Sequence, residues 1–507
     1  MAGRSVSLEI LLRGLEVRRL HGRTDRAISG LAYHSAGVRE GNLFVAMRGV
    51  RADGHRYLED AVTRGAAAVV VQEPVSVPAS VTVIEVAEPR RALAALAAAY
   101  YGDPSAGMTL VGITGTNGKT TTSFLLESIF QAAGGRPGVI GTVTYRYGQT
   151  ARPASVTTPE SLDLQHMLRE MADAGVTHVA MEVSSHALDM HRADSCQFDC
   201  AIFTNLTQDH LDYHGSLDEY WRCKARLFTE LLSRPPKGNR ATAVLNLDDP
   251  RGAALAPTLP VRVLTFGMSP EAQVTPRQFR FTPGGTDAVI ATPQGELSLR
   301  ARLLGEFNLF NMLGAIGAGV ALGIPLEAIR RGIEALASVP GRLEAVGEGP
   351  FTVVVDYAHT PDALERILKV VRGFCQGRLI TLFGCGGDRD RTKRPIMGRV
   401  AATLSDLVVI TSDNPRTEVP EKIIEEIVQG LPAEFPQFRP GPGAERGYTT
   451  LVDRRQAIRL AIALARPKDA VVLAGKGHED YQILGTQKHP FDDREEARRA
   501  LQERGVP

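Results

Sequence analysis

The stretch Gly112-Ile-Thr-Gly115-Thr-Asn117-Gly118-Lys119-Thr120-Thr121 follows a short apolar segment, 108–111, and precedes a segment with apolar residues at helical spacing. Glycines let backbone N–H groups turn toward an anion, and the N-terminus of the next helix adds its positive end. Lys119 can reach the outer phosphates of a nucleoside triphosphate, and the Thr120 hydroxyl can ligate Mg²⁺. The stretch therefore predicts a phosphate-binding loop, although Ile113 occupies the position where the usual pattern has its first glycine. The alternative is an ordinary glycine-rich turn between a strand and a helix.

Composition limits the class of protein. A chain of 507 residues predicts about three domains. The net charge of +1 gives no global field that would attract nucleic acid or an anionic membrane. Five cysteines without a Cys-x-x-Cys pair argue against a disulfide framework or a thiolate zinc site, and they fit a reducing cytoplasm. No segment is apolar enough for a membrane span, so we expect a cytoplasmic protein, and we expect a monomer.

Short β-branched runs alternate with helical stretches along the chain, which predicts an α/β fold with mostly parallel sheets. Turn-rich segments at 101–107 and 339–342 suggest two boundaries. The expected domains are therefore 1–107, 108–340 and 341–507. The central one should be a P-loop-type sheet domain, between an N-terminal α/β domain and a C-terminal Rossmann-like α/β domain in the chain. Residues 267–300 predict a hairpin inside the middle domain, and 308–336 predict a helical stretch.

Two strands that follow the phosphate loop end in polar residues. Glu182 closes the strand that begins near His178, and the next strand leads into the run from Asn205 to His214, which contains His210 and Asp212. Carboxyl ends of neighbouring parallel strands form the ligand-binding edge of such sheets. Each residue alone is typical of a cap or a surface group, but together they favour a metal and phosphate site.

Lys224 lies on the apolar stripe of the helical segment 217–232, together with Trp221, Phe228 and Leu231. A buried ammonium is costly, so this lysine must reach the surface, lose its proton, find an anion or be chemically modified. Reaction with CO₂ would make it a carbamate, whose oxygens suit Mg²⁺. The sequence leaves these alternatives open.

Four further apolar runs end in segments rich in Gly, Asp, Arg and Asn, which begin at Asp356, Gly384, Asp413 and Gly475. Strand ends of this kind predict a binding face. Arg389 and Arg416 could each hold a carboxylate through a bidentate contact, and Glu479 could accept an ammonium group. An amino acid is the simplest ligand for such a face, whereas solvated turns would explain any one segment alone.

Several of these motifs together resemble the Mur ligases: Gly115-Thr-Asn-Gly-Lys-Thr-Thr121, Glu182-Val-Ser-Ser-His186, Asn205 to His214, Tyr357-Ala-His-Thr-Pro-Asp362 and Asp413-Asn-Pro-Arg416. The resemblance covers nearly the whole chain. It implies an ATP-dependent amide ligase of peptidoglycan synthesis that uses Mg²⁺. The implied acceptor is the D-Glu side-chain carboxylate of UDP-N-acetylmuramoyl-L-alanyl-D-glutamate, activated as an acyl phosphate, and Asp413-Asn-Pro-Arg416 implies meso-diaminopimelate as the added amino acid.

The resemblance also implies roles for individual residues, which we give by function. The catalytic candidates are Lys119, His210 and Lys224. The metal candidates are Thr120, Glu182, His210 and carbamylated Lys224. The nucleotide candidates are Gly115, Thr116, Asn117, Gly118, Lys119, Thr120, Thr121, Asn308, Arg342, Asp356 and His359. The candidates for the nucleotide-sugar substrate are Ser35, Thr157, Thr158, Ser184 and Arg192. The amino-acid candidates are Arg389, Asp413, Asn414, Pro415, Arg416, Gly475 and Glu479.

The chain departs from the family pattern at two places. Tyr33-His34-Ser35-Ala36 replaces a common Asp-Ser-Arg, and Met190 replaces a glutamine that often contacts the substrate. Other ligases of the same architecture, folylpolyglutamate synthetase or a lysine-adding enzyme, remain alternatives. A nucleotide-driven switch without ligase chemistry is the alternative from another class, and it predicts ATP turnover that does not respond to an amino acid.

Overall fold

The computed structural model describes residues 5–49, 52–237, 240–282, 284–347, 349–439 and 443–506, apart from the side chain of Asp212. These residues form two compact units. Unit 1 comprises Met1–Arg277, Ile290–Leu297 and Phe310–Ile333. Unit 2 comprises Gln278–Val289, Ser298–Leu309 and Glu334–Pro507.

Unit 1 begins with a five-stranded sheet. The first elements of the chain are β1 (Val6–Ser7), α1 (Leu8–Leu11), β2 (Val17–His21), β3 (Ala27–Ile28), β4 (Gly30–Ala32), β5 (Asn42–Val45), α2 (Leu58–Thr63), β6 (Ala68–Val71), β7 (Thr82–Val86) and α3 (Pro89–Tyr101). The sheet order is β2-β7-β6-β5-β4, and only β2 is antiparallel to its neighbour. Every residue of β5 and β6 is buried, as expected for strands covered on both faces.

The second sheet of unit 1 has eight strands and carries the predicted phosphate loop. Its elements are β8 (Thr109–Thr114), α4 (Lys119–Ala132), β9 (Pro137–Ile140), β10 (Thr144–Tyr147), β11 (Thr150–Pro153), α5 (Ser161–Asp173), β12 (His178–Glu182), α6 (Ser185–Asp189), β13 (Cys200–Phe203), α7 (Leu211–His214), α8 (Leu217–Arg226), β14 (Thr242–Asn246), α9 (Pro250–Leu255) and β15 (Arg262–Phe266). The order is β11-β10-β9-β12-β8-β13-β14-β15. The strands from β9 to β15 in this order are parallel, so β12 and β13 end on either side of the phosphate loop.

The middle of the chain differs from two expectations. The segment 267–300, predicted as a hairpin, contains one strand more, because three consecutive strands form a separate sheet: β16 (Thr275–Thr282), β17 (Gly285–Thr292) and β18 (Gly295–Ala301). The helical stretch 308–336 is two helices, α10 (Glu306–Ala321) and α11 (Leu326–Ala335). Gly323 between them has φ of 73°, and Pro325 precedes the second helix, so the chain turns between the two helices.

Unit 2 contains a six-stranded sheet and a small hairpin. The remaining elements are β19 (Glu344–Ala345), β20 (Thr352–Asp356), α12 (Pro361–Phe374), β21 (Leu379–Phe383), α13 (Lys393–Leu404), β22 (Leu407–Thr411), α14 (Pro420–Val428), β23 (Gly447–Leu451), α15 (Arg454–Leu464), β24 (Ala470–Ala474), β25 (Tyr481–Leu484), β26 (Gln487–Pro490) and α16 (Asp493–Glu503). The order β19-β20-β24-β21-β22-β23 is parallel except for β19. β20, β24, β21 and β22 are therefore neighbours, and the four predicted polar strand ends lie along one edge.

These sheets confirm the predicted α/β class with mostly parallel strands. The five cysteines are free thiols. Among the described residues, no helix is both long and apolar enough to cross a membrane. α8 continues into a π-helical turn, Leu227–Leu231, so the helical segment predicted around Lys224 is confirmed.

Candidate active site

The phosphate loop follows β8 directly. Gly115 and Gly118 have φ of 143° and 89°, values that side-chain-bearing residues rarely adopt. A Cβ at Gly115 would lie 1.9 Å from Thr204 Oγ1, and one at Gly118 would lie 2.2 Å from Asn311 Oδ1. Gly112 lies within the strand, where a Cβ would lie 2.8 Å from the Phe198 ring. The predicted arrangement of strand, loop and helix is confirmed, and Ile113 is a buried strand residue outside the loop.

Two lysines converge on the same backbone carbonyl of this loop. Lys119 Nζ donates to the carbonyl oxygens of Gly115 (2.9 Å) and Thr116 (2.8 Å). Lys224 Nζ donates to Gly115 O at 2.8 Å, and the Lys224 residue is only 1% exposed. Burial, followed by the positive charge of Lys119, lowers the pKa of Lys224 well below its ordinary value. Of the alternatives for this lysine, reaching the surface is therefore wrong.

Glu182 lies at the end of β12 and contacts the first turn of α4. Its carboxylate accepts hydrogen bonds from Thr120 Oγ1 (3.1 Å) and from the backbone N–H (3.0 Å) and hydroxyl (2.9 Å) of Thr142. A Cβ at Gly141 would lie 2.3 Å from Glu182 Oε1, so this carboxylate needs a glycine beside it. Our sequence analysis missed Gly141 and Thr142. The sequence carries no local signal for them, because their contact with Glu182 depends on β9 lying next to β12 in the sheet.

The end of β13 holds the loop from the other side. The Asn117 N–H donates to Asn205 Oδ1 at 3.0 Å, and Thr204 Oγ1 donates to Asn117 O at 2.6 Å. The Thr116 hydroxyl lies 3.3 Å from the Tyr220 hydroxyl and accepts from Thr207 N at 3.0 Å. Thr121 is buried in α4. Thr204, Thr207 and Tyr220 were not among the predicted site residues.

His210 is exposed and has a positive φ of 53°. Its ring lies 5.0 Å from the His186 ring and 6.1 Å from the Tyr220 ring, and its Nε2 lies 3.4 Å from Asp209 Oδ2. Over the described part of the chain, no hydrogen bond joins His210 to Glu182, and no three His, Cys, Asp or Glu side chains are placed to hold a metal. The metal-binding role of His210 stays a prediction, and the side chain of Asp212 lies outside the described residues.

A cavity of about 800 Å³ lies between the first sheet of unit 1 and α5. Ser35 and Arg192 line it, as do the departing residues His34 and Ala36. Arg192 Nη1 donates to Thr158 O at 3.1 Å, and its Nη2 lies 3.3 Å from Met190 Sδ. The structure thus places Ser35 and Arg192 around one cavity of substrate size.

Hydrogen bonds connect this cavity to Glu182. Thr158 Oγ1 donates to Glu182 O at 2.8 Å and accepts from Ser184 N at 3.1 Å. The Thr157 hydroxyl lies 3.2 Å from the Thr142 hydroxyl, which in turn donates to the Glu182 carboxylate. The predicted nucleotide-sugar residues Thr157, Thr158 and Ser184 therefore lie between the cavity and the phosphate loop.

In unit 2, three nucleotide candidates lie near the end of β20, and a fourth, Asn308, lies in α10. Asp356 accepts hydrogen bonds from the N–H groups of Leu343 and Ala358, both at 2.8 Å, and burial raises its pKa. The Arg342 guanidinium lies 4.8 Å from the centre of the Tyr357 ring. His359 Nδ1 lies 2.9 Å from Tyr357 O. Asn308 Nδ2 donates to Leu304 O at 2.9 Å.

The amino-acid candidates lie at the ends of β22, β21 and β24. Arg416 Nη1 donates to Gly387 O at 2.8 Å, and the exposed Arg389 donates to Asp388 O at 3.4 Å. Pro415 is buried, and Gly475, with φ of 119°, would bring a Cβ within 2.6 Å of Asp413 Oδ2. Asn414 Nδ2 donates to Glu479 Oε2 at 2.9 Å. Acidic and basic groups thus alternate along this edge, as recognition of a zwitterion requires.

Three family models match successive parts of the chain. They are described as "Mur ligase family, catalytic domain" at residues 27–101, "Mur ligase middle domain" at 113–319 and "Mur ligase, glutamate ligase domain" at 341–477. A phosphate loop, a buried carboxylate beside it and an edge suited to a zwitterion agree with these matches. The chain belongs to the Mur ligase family, and it is a ligase.

Within this family, the chain is similar to several proteins that share one name. A UDP-N-acetylmuramoyl-L-alanyl-D-glutamate–2,6-diaminopimelate ligase of Geobacter metallireducens is 50% identical over 98% of both chains. The protein of that name from Gloeobacter violaceus is 47% identical, also over 98% of both chains. A solved structure with the same name has a TM-score of 0.72 and 31% identity, and it covers 99% of this chain and 100% of its own.

Proposed function

We propose that this protein is an ATP-dependent ligase that adds meso-diaminopimelate to the D-Glu side-chain carboxylate of UDP-N-acetylmuramoyl-L-alanyl-D-glutamate. Three relatives that are named as 2,6-diaminopimelate ligases of this substrate are about half identical to this chain, over almost the full length of each protein. The proposal for this chain depends on the edge at Asp413-Asn-Pro-Arg416. There the basic Arg416 lies together with two acidic residues, Asp413 and Glu479. Arg416 can bind the distal carboxylate that diaminopimelate has and lysine lacks.

The reaction needs activation because a carboxylate is a poor electrophile. The γ-phosphate of ATP would pass to the D-Glu carboxylate, giving an acyl phosphate and ADP. The amine of diaminopimelate would attack the carbonyl carbon, and inorganic phosphate would leave the tetrahedral intermediate as the amide forms. Lys119 would stabilise the negative charge on the phosphoryl group in transfer. Lys119 Nζ already lies at the loop, where it donates to the carbonyl oxygens of Gly115 and Thr116.

Mg²⁺ is the cation that fits these donors. The hydroxyl of Thr120 and the carboxylate of Glu182 are hard oxygen ligands in mutual contact, at 3.1 Å. Bound Mg²⁺ would supply positive charge to phosphate oxygens. His210 is a further candidate from an exposed position. Lys224 would contribute only after its neutral amine nitrogen attacks CO₂ and loses a proton to water, which yields a carbamate; its lowered pKa favours that nucleophilic form.

The three family matches support a division of labour among domains 1–107, 108–340 and 341–507. Residues 1–107, with Ser35, would hold the nucleotide sugar together with Thr157, Thr158, Ser184 and Arg192. The middle domain would bind ATP through 115–121 and Asn308, and the further nucleotide candidates Arg342, Asp356 and His359 belong to the last domain. The last domain would bind the amino acid through Arg389, Asp413 to Arg416, Gly475 and Glu479. We propose a monomeric, cytoplasmic enzyme with no nucleic-acid partner.

A phosphate-release assay tests this proposal. The protein is incubated with ATP, Mg²⁺ and UDP-N-acetylmuramoyl-L-alanyl-D-glutamate, and either meso-diaminopimelate or L-lysine is added. We expect release that depends on the nucleotide sugar and is faster with diaminopimelate by two orders of magnitude or more, since lysine would leave the half-buried Arg416 without its carboxylate partner. Preference for L-lysine would contradict the choice of amino acid. Release that ignores both substrates would support a nucleotide-driven switch instead.

A further inference from the structure

Lys476 is a fully buried lysine at the end of β24, between Gly475 and Gly477. Its Nζ lies 3.2 Å from Asn414 Oδ1 and 3.2 Å from Glu479 Oε2. A buried ammonium is expensive unless it is paired and hydrogen-bonded. Both of its hydrogen-bond partners are candidate contacts for the amino acid, so the position of this lysine is tied to that site.

The amide of Asn414 has its orientation set by Lys476. Its Oδ1 accepts hydrogen bonds from Lys476 Nζ and from the backbone N–H of Ile483 at 2.9 Å, the latter from the β25–β26 hairpin. Because two donors converge on this oxygen, the NH₂ group must point the other way, where Nδ2 donates to Glu479 Oε2. Lys476, Asn414 and Glu479 therefore form a closed triangle of hydrogen bonds.

The carboxylates around this triangle differ in how well they are paired. Arg454 and Asp493 neutralise each other, since the guanidinium binds both carboxylate oxygens, at 2.8 and 2.6 Å. Lys476 pairs with Glu479 at 3.2 Å. Within the described residues, Asp413 Oδ2 is buried and has no hydrogen-bond partner. Such an oxygen is costly to leave unpaired, and an ammonium group of the ligand would satisfy it.

We propose that Lys476 is a positioning residue that sets the Asn414 amide and the Glu479 carboxylate for the ammonium end of the incoming amino acid. This inference rests on the proposed function and adds a determinant to its amino-acid site. Lys476 itself stays beneath the binding edge. Its loss would release the Asn414 amide and leave two unbalanced carboxylates, which would change amino-acid recognition far more than ATP use.

The test compares Lys476→Met with Lys488→Met in phosphate-release kinetics. Lys488 lies on the neighbouring hairpin, where its Nζ is 3.9 Å from the centre of the Tyr481 ring, so it controls for the loss of a nearby lysine. We expect Lys476→Met to raise the KM for diaminopimelate by tenfold or more and to change the KM for ATP by less than twofold. Lys488→Met should change both by less than twofold. Lys476→Arg, which keeps the charge, should recover part of the lost affinity.

A double-substitution cycle separates positioning from general structural support. If Lys476 acts through Glu479, Lys476→Met combined with Glu479→Gln should raise the KM for diaminopimelate no further than Glu479→Gln alone. Multiplicative effects, or equal damage to the ATP and amino-acid constants, would overturn the proposal. Should Lys476→Met be too unstable to assay, Lys476→Gln must give the same split. If the wild-type protein shows no diaminopimelate-dependent release, the proposed function fails; if it does and Lys476→Met keeps its KM, only the positioning role fails.

Discussion

The phosphate loop of unit 1 and the amino-acid edge of unit 2 differ in how their charged groups are arranged. In the loop, two lysine amines converge on the carbonyl of Gly115, and burial together with the second positive charge disfavours protonation of Lys224. Along the edge, Lys476 donates a hydrogen bond to Glu479, and Arg454 donates one to Asp493. In the loop the two amines lie together at one neutral carbonyl, whereas on the edge, among the described residues, the buried Asp413 Oδ2 has no hydrogen-bond partner. Each arrangement suits the charge of the proposed ligand, which is ATP for the loop and the amino acid for the edge.

Substitution of Lys119 should produce the largest loss of phosphate release. Lys119→Met takes away the charge nearest the proposed phosphoryl group, so we expect phosphate release to fall by about 10³-fold, the scale seen when a transition-state contact is lost. Steady-state kinetics with diaminopimelate as substrate measure it. Lys369→Met serves as the control, since Lys369 is exposed and pairs with Glu365, four residues away on α12. Loss of less than tenfold would break the assignment of the loop.

Arg416→Ala should have the second-largest effect, confined to the other site. A site that depends on one polar contact loses up to about 10⁴-fold when a partner is missing, so kcat/KM for diaminopimelate should fall by about 10²-fold to 10⁴-fold. The KM for ATP should change by less than about threefold, because ATP would not use this contact. Arg391→Ala is the matched control, since Arg391 pairs with Glu426 on the surface. Equal damage to both substrates would remove the distinction between the two sites.

The two sites also differ in how far the sequence reveals them. The loop is a contiguous motif, and its glycines and lysine can be read directly, as can Glu182 and Asn205 at neighbouring strand ends. Thr142 and Tyr220 were missed because their contacts with Glu182 and Thr116 depend on sheet order and helix packing. Such long-range pairings have no local signature.

The amino-acid edge shows the same limit more strongly. Its four strand ends were predicted, because polar runs after buried strands imply one edge of a parallel sheet. Lys476 follows Gly475 in one of the predicted polar segments, but its burial beneath Asn414 could not be inferred from neighbouring glycines and charges. Arg454 begins α15, far from the motif in sequence, and its pairing with Asp493 depends on how α15 and α16 pack. Buried residues that position a site can be identified only from the folded structure.

The third-largest loss of activity is expected for Lys224, which contacts the phosphate loop. If it acts as a carbamate, Lys224→Ala should slow phosphate release by about 10²-fold, in line with loss of a metal-bound oxygen, and short carboxylic acids such as acetate should restore part of the rate. Lys237→Ala is the matched control. Lys237 Nζ donates to Ser105 O, Met108 O and Asp199, at 2.9, 2.6 and 2.8 Å, so its loss should reduce stability without rescue. Absence of rescue at Lys224 would favour a plain hydrogen-bonding role for its amine.

The smallest expected effect concerns the pH dependence of unit 2. Burial, followed by the positive charges of Arg342 and Arg494, lowers the pKa of His478 to about 4, against 6.5 for the ordinary side chain. Below pH 6.5 the unfolded chain therefore binds a proton that the folded chain refuses, so folding loses stability as the pH falls from 6.5 to about 4 and loses no more below that. The full difference corresponds to at most about 3 kcal/mol.

Hydrogen exchange of the β20 and β24 amides, corrected for the intrinsic effect of pH, measures this loss where it occurs. His478→Phe keeps an aromatic ring beside Tyr357, 5.0 Å away in the wild type, but cannot titrate. The opening free energy of these strands should therefore decline more steeply in the wild type than in the variant between pH 6.5 and 4, while the amides of β8 and β12 in unit 1 should show no difference between the two proteins. Parallel profiles for β20 and β24 would mean that His478 accepts its proton without cost, and that other groups govern the acid sensitivity of the amino-acid edge.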